Sequence, residues 1–198
     1  GAPLVLCLPG SRRGEIARLG PRFGRTLALL RDRVPGMRVA LPTVPGVAAQ
    51  IADMAQGWPT VPVLVEDAAE KLSAFAAADI ALAASGTVSL ELAANRVPMV
   101  IGYDMAPVSR ALIGWMLRTD TVTLVNLVSE TRAVPEYLGA RCRPGPMADA
   151  LAKLFQDDAA RAAQIAAMDL TMDRLGRGGE PPGLRAARSV LGAIRAPR

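Results

Sequence analysis

Two short segments of this chain carry groups suited to holding an anion. Leu8-Pro9-Gly10-Ser11-Arg12 follows an apolar run and precedes a helical pattern that opens with Glu15. Ala84-Ser85-Gly86-Thr87 sits in the same setting, with Glu91 one turn into the next helical pattern. In each, glycine lets the backbone approach a ligand closely, hydroxyls donate, and the start of a helix offers N–H groups without intrahelical partners. Arg12 adds a planar guanidinium fork that matches phosphate oxygens. A plainer reading stands beside this one: Ser11 and Thr87 as helix N-caps, Glu91 as an ordinary first-turn carboxylate. Two such loops in one chain, one armed with Arg, favour the anionic ligand. Glu91 would repel a phosphate that it faced, but it is suited to accept hydrogen bonds from a ribose diol. Asn126, both donor and acceptor, is open to two readings: contact with a sugar hydroxyl or phosphate, or closure of a turn.

Other chemistries are excluded by residue type. The chain has 198 residues and no His, which removes imidazole bases, Ser–His–Asp catalysis and most zinc sites. Two cysteines, Cys7 and Cys142, are too few for a disulfide scaffold or a cysteine zinc cluster. Asp67 with Glu70, and Asp157 with Asp158, sit at expected helix starts, where carboxylates complement the dipole, so no metal and no cofactor is expected. The G-x-x-x-x-G-K-[ST] loop is absent, and the first turn has no G-x-G-x-x-G. Net charge is +5, and among 23 basic residues only Lys71 and Lys153 are lysines. The arginines are scattered and not interleaved with aromatics, so no nucleic-acid partner is expected. No apolar run reaches the roughly 18 residues that a membrane span requires. No secretory signal precedes the first strand pattern, and a cytoplasmic address is expected.

The elements that must position these loops follow from pattern. Short apolar runs predict strands at Leu4–Leu8, Arg38–Leu41, Val61–Val65, Asp79–Ala83, Pro98–Gly102 and Val122–Val125. Helical patterns cover Glu15–Val34 with an interruption at Gly20-Pro21, then Val47–Met54, Asp67–Ala78, Val88–Asn95, Val108–Arg118, Met147–Gln156, Ala159–Leu175 and Leu184–Arg195. Leu72, Phe75 and Ala76 are expected on the buried face of the third of these. With aromatics at 4% and much Ala, the core is aliphatic. The alternation predicts an α/β fold, a Rossmann-like doubly wound parallel sheet of about six strands, with ligands at the carboxyl ends of the strands. Residues 1–176 are expected to form the Rossmann-like, ligand-binding domain and 177–183 a Gly/Pro linker. Residues 184–198 would form a terminal helix able to cross to a partner domain or chain.

Five blocks occur in order: LPGSR (Leu8–Arg12) with Glu15-Ile16, ASGTVSLE (Ala84–Glu91), PMVIGYDMAP (Pro98–Pro107), RTDTVTLVNL (Arg118–Leu127) and VPEYL (Val134–Leu138). Together they resemble the carboxyl-terminal half of lipid-A-disaccharide synthase, from Leu4 to the last helix. The resemblance implies the GT-B glycosyltransferase architecture, two Rossmann-like halves facing a cleft, with the UDP part of the donor held by this half. It implies inverting transfer from UDP-2,3-diacylglucosamine to 2,3-diacylglucosamine 1-phosphate, giving a β(1→6) disaccharide precursor of lipid A and UDP. It also implies work at the cytoplasmic face of the inner membrane. Residue by residue, Arg12 matches the family arginine that neutralises the departing diphosphate. Gly10 and Ser11 belong to its loop, and Ser85, Gly86 and Thr87 match the second phosphate loop. Glu91 matches the ribose-holding acid and Asn126 the Asn of the NL block. Tyr103 matches an aromatic near the cleft without a firm role.

Departures sharpen the expectation. Asp104 stands where the family often has a basic residue, and Gly139-Ala140-Arg141 replaces a short acidic stretch. The amino-terminal half that supplies the acceptor site and general base is missing from this sequence, so the chain alone is expected to be inactive. Val108–Arg118, with Leu112, Trp115 and Met116, reads either as an interfacial helix or as a core helix. The terminal helix could fold back or exchange with a second chain, giving a homodimer. Alternatives are another GT-B UDP-sugar enzyme, like the peptidoglycan N-acetylglucosaminyltransferase or a UDP-sugar 2-epimerase, and a non-catalytic nucleotide-binding or assembly module.

Overall fold

The computed structural model describes residues 1–58, 60–104 and 120–195. Its sheet is built from β1 (Leu4–Leu8), β2 (Arg38–Pro42), β3 (Val63–Val65), β4 (Ile80–Ala83), β5 (Met99–Tyr103) and β6 (Glu136–Leu138). All pairings are parallel, in the order β3-β2-β1-β4-β5-β6. Parallel strands need crossovers, and the helices that provide them cover both faces. Successive strand residues point to opposite faces, so the two cores separate residue by residue. Val5, Cys7, Leu41, Ile80, Leu82 and Val100 face one side. Leu6, Leu8, Ala81, Ala83, Met99 and Ile101 face the other.

The first face is covered by α1 (Arg13–Arg31), α2 (Ala48–Gln56) and α6 (Pro144–Gln156). In α1, Ile16, Leu19, Phe23, Leu27 and Leu30 recur at helical spacing and are fully buried. The expected break at Gly20-Pro21 does not occur: α1 runs unbroken with Pro21 inside it. An interior proline costs about 3 kcal/mol. Burying one large apolar side chain returns about 1.5–3 kcal/mol, and three lie beyond the proline. Ala17, whose carbonyl the proline leaves without its partner, is exposed and open to water.

The second face is covered by α3 (Ala68–Ala77), α4 (Val88–Ala94), α5 (Leu124–Ser129) and α7 (Asp158–Arg174). Phe75 of α3 is buried as expected, but Leu72 is 69% exposed and Ala76 is also outside. Phe75 is flanked instead by Ala74 and Ala78 against the same core. The larger correction concerns the sixth strand. Val122–Val125 is not a strand; α5 begins within it, and β6 lies in the VPEYL block. A four-residue apolar run fits a buried helix turn as well as a strand. The Glu136 carboxylate settles it here, accepting from Val122 N (3.0 Å), Thr123 N (2.5 Å) and Thr121 Oγ1 (2.7 Å), so these amides do not enter the sheet.

The terminal helix α8 (Pro182–Arg195) follows the Gly/Pro-rich run. Leu184, Val190, Leu191 and Ile194 are each more than half exposed on it. Among the described residues, no helix is long and apolar enough to cross a membrane. The helix expected at Val108–Arg118 lies outside the described residues.

Candidate functional site

β1 and β4 are neighbours, yet the helices that follow them leave to opposite faces: α1 packs on one core and α4 on the other. The two chain segments diverge at the carboxyl ends of the strands and open a crevice between them, the place where doubly wound sheets bind ligands. The crevice is an open cleft of about 380 Å³. Both predicted loops line it, Gly10, Ser11 and Arg12 from the β1 end and Ser85, Gly86 and Thr87 from the β4 end, and Glu91 is also in the lining. Ala84 N donates to Leu8 O at 2.8 Å and fixes the two loops to each other.

Gly10 has φ +110, a conformation side chains rarely adopt, and a Cβ there would lie 2.6 Å from Glu15 Oε2. The loop therefore folds tightly over the Glu15 carboxylate. Arg12 is the N-cap of α1, in extended conformation and without a side-chain cap. Its carbonyl accepts from Glu15 N and Ile16 N at 3.0 and 3.1 Å, while the first amides of this long helix have no intrahelical acceptor. The Arg12 side chain is 82% exposed and lines the cleft. On the other side, Thr87 is the N-cap of α4 and its hydroxyl makes no cap bond. Ser89 Oγ donates to Gly86 O at 2.8 Å and braces that loop from below. Thr87 thus holds the N-cap position without spending its hydroxyl on the helix, and Ser11 lies one residue before the N-cap of α1.

Three groups in the cleft wall were missed by sequence reasoning. The first is Glu15, read only as a helix opener. It is buried, 3.7 Å from Arg12 Nη1, and accepts from Tyr103 Oη at 3.4 Å. Burial, then the charge and hydrogen bond of Glu15, push the Tyr103 phenol above its ordinary range. Tyr103 thus stands behind the Arg12 loop. The second is Lys71 of α3, whose Nζ is 2.9 Å from Glu91 Oε2. The only signal in the sequence was its rarity, one of two lysines in an arginine-rich chain. The third is Pro42–Val44 at the end of β2, which carried no signal.

Asn126 is not brought to this cleft. It is 1% exposed and clamps the turn before β6, with Nδ2 donating to Val134 O (2.9 Å) and Oδ1 accepting from Val134 N (3.0 Å). Of its two readings, closure of a turn is what the geometry displays. Asp104 is buried and pairs with Arg22 at 2.9 Å, so it belongs to the packing of α1 rather than to an open surface. Asp67 caps α3 through Ala69 N and Glu70 N (2.8 and 3.0 Å), and Asp157 caps α7 through Ala160 N (2.9 Å). That bond holds the Asp157 carboxyl below the usual range. Among the described residues no group of three or more His, Cys, Asp or Glu could hold a metal ion.

Comparison with known proteins gives this geometry a context. Residues 2–178 match the lipid-A-disaccharide synthetase family. A lipid-A-disaccharide synthase of Ruegeria pomeroyi is 56% identical over 198 residues, covering 96% of this chain and 49% of that protein. One from Rhodospirillum centenum is 45% identical over 193 residues, covering 98% and 48%. The chain thus spans about half the length of the curated relatives it matches. Among solved structures, a trehalose-6-phosphate synthase studied with bisubstrate glycomimetics aligns over 99% of this chain and 46% of its own, with TM-score 0.59 and 12% identity. A UDP-GlcNAc 2-epimerase from Neisseria meningitidis, bound to UDP-GlcNAc, aligns over 88% and 44%, with TM-score 0.55 and 14% identity. At such identities the likeness is one of fold, the Rossmann-like half of GT-B enzymes. The family match over most of the chain and the order of its sequence blocks agree: this chain belongs to the lipid-A-disaccharide synthetase family.

Proposed function

We propose that this chain is the donor-nucleotide half of an inverting glycosyltransferase, and that the β1/β4 cleft holds the UDP of UDP-2,3-diacylglucosamine. The observation that carries the reading is the convergence of both glycine loops on one cleft, with the Thr87 hydroxyl making no cap bond and the exposed Arg12 at the rim. The diphosphate lies against the uncapped start of α1 and Arg12, and Ser11, Ser85 and Thr87 add neutral donors. Glu91, one turn into α4, takes the ribose diol.

In the transfer, the acceptor hydroxyl of 2,3-diacylglucosamine 1-phosphate attacks the anomeric carbon while the bond to UDP breaks. Negative charge grows on the leaving diphosphate. A guanidinium and fixed amide dipoles aimed at that charge stabilise the transition state more than the ground state. The proton of the attacking hydroxyl goes to a base that an amino-terminal Rossmann half supplies, so these 198 residues alone do not turn over. Work at the cytoplasmic face of the inner membrane fits a diacylated donor. Exchange of α8 in a homodimer fits its exposed apolar face. Both stand as parts of the proposal.

Calorimetric titration of UDP into the chain tests the reading. Binding is expected, weakened about tenfold or more by Arg12→Ala and by Glu91→Ala, as for lost hydrogen bonds to charged groups. Wild-type protein that takes up no UDP would sink the nucleotide site. Given a bound nucleotide, equal affinity for an acylated and a non-acylated UDP-sugar would point away from the lipid donor.

A further inference from the structure

Lys71 and Glu91 come from different helices, α3 and α4, and meet in the wall of the cleft at 2.9 Å. Both are partly exposed, at 34% and 49% of their side chains, and pairs so placed add little to stability. Stability is therefore a poor account of why the chain keeps a lysine here when nearly every other basic position is Arg. The lysine stands in the first turn of α3. Its backbone N–H donates to the carbonyl of Asp67, the residue whose side chain caps the same helix. Its ammonium rides 5.5 Å over the ring centroid of Phe75, which is buried one turn further along.

We propose that Lys71 is a positioning residue that orients the Glu91 carboxylate for the ribose of the bound nucleotide. This rests on the reading of the cleft as a uridine-nucleotide site. An ammonium is a compact point charge, and it contacts Glu91 through Oε2. A carboxylate has acceptor sites for about four hydrogens, so the remaining sites stay available to a pair of hydroxyls. An arginine at the same place would present a fork that takes both oxygens. Without the lysine, Glu91 is a half-exposed side chain with its rotamer freedom restored. It then loses side-chain entropy on meeting the diol, and the contact weakens.

The test compares UDP with 2′,3′-dideoxy-UDP, by calorimetry, on wild type and on Lys71→Met. Wild type is expected to favour UDP by about tenfold, the value of hydroxyl bonds to a charged acceptor. Lys71→Met is expected to reduce that preference to about threefold or less while leaving dideoxy affinity within about twofold, which also shows that the variant is folded. Two results overturn the proposal alone: a variant that keeps the full preference, or one that weakens both nucleotides by the same factor. The second would mean that Lys71 acts on the diphosphate through its charge. A wild type that binds both nucleotides equally removes the diol contact and the proposal with it. A wild type that binds neither brings down the nucleotide reading itself.

Discussion

The two loops of the cleft look alike as sequence and differ as structures. Both follow a central strand, both carry a positive-φ glycine and hydroxyl side chains, and both open a helix. The first opens α1, a helix of 19 residues, with Arg12 at its cap and the buried Glu15 beneath. The second opens α4, of only 7 residues, and is braced by Ser89. Aligned peptide dipoles concentrate charge at the start of a helix, so the long uncapped α1 is the stronger anion partner. The glycines differ as well. A Cβ on Gly10 would meet Glu15, whereas one on Gly86 would meet nothing within 4 Å. The first loop supplies charge and is built rigidly around a buried acid. The second supplies shape and neutral donors. A strand–glycine–hydroxyl–helix pattern names a place for a ligand but not how strongly that place pulls.

This asymmetry can be broken by paired substitutions. Arg12→Ala should cost UDP binding about 1.5–3 kcal/mol and Thr87→Ala about 0.5–1.5 kcal/mol, read by titration calorimetry. Equal losses would end the division into a charged and a neutral loop. Gly10→Ala should destabilise the fold by about 1–3 kcal/mol in urea denaturation, from positive φ together with the contact on Glu15. Gly86→Ala has only its φ of +154 to strain and should lose less. Raising ionic strength should weaken UDP binding more in wild type than in Arg12→Ala, since screening acts on the charge that the variant lacks. Salt curves of identical slope would count against Arg12 as the phosphate partner.

The finest distinction concerns the acid behind the first loop. Tyr103 and Tyr137, the chain's two tyrosines, are both raised above the ordinary 10.0, chiefly by burial. A folded pKa above the unfolded one means that this contribution to stability is whole below pH 10 and declines as pH rises beyond it. Phenolate absorbance should therefore rise at higher pH in the native chain than in the unfolded one. Glu15→Gln should lower the Tyr103 midpoint part of the way, because the charge of Glu15 is the second cause and burial persists. A midpoint that does not move would separate Tyr103 from the acid under the loop.

Much of the fold was legible in the sequence. β1 is observed over Leu4–Leu8 as expected, and the first five strands and the helices that follow the first four of them fall within a few residues of the patterns that predicted them. Residues 8–12 and 84–87 lie at the strand ends where the alternation put them. Helical and extended periodicities are written in neighbouring residues, so runs such as LVLCL and DIALA declare themselves. VTLV did not, because four residues cannot separate a strand from one turn of buried helix. Its fate rested on Glu136, more than ten residues away. The face of α3 was misread for a related reason. Leu72 and Lys71 lie on adjacent stripes of one helix, and only the sheet beneath selects the stripe that is covered.

The sequence by itself determined the family, the α/β alternation, the absence of imidazole chemistry and the identity of the cleft's charged loop. These are properties of residue type and short-range order. Only the tertiary structure decided that Glu15 and Tyr103 stand behind Arg12, that Lys71 reaches Glu91, and that Asn126 is held inside the turn before β6. Those partners are 88, 20 and 8 positions apart. What joins them is the packing of helices on a sheet whose central strands send their chains to opposite faces.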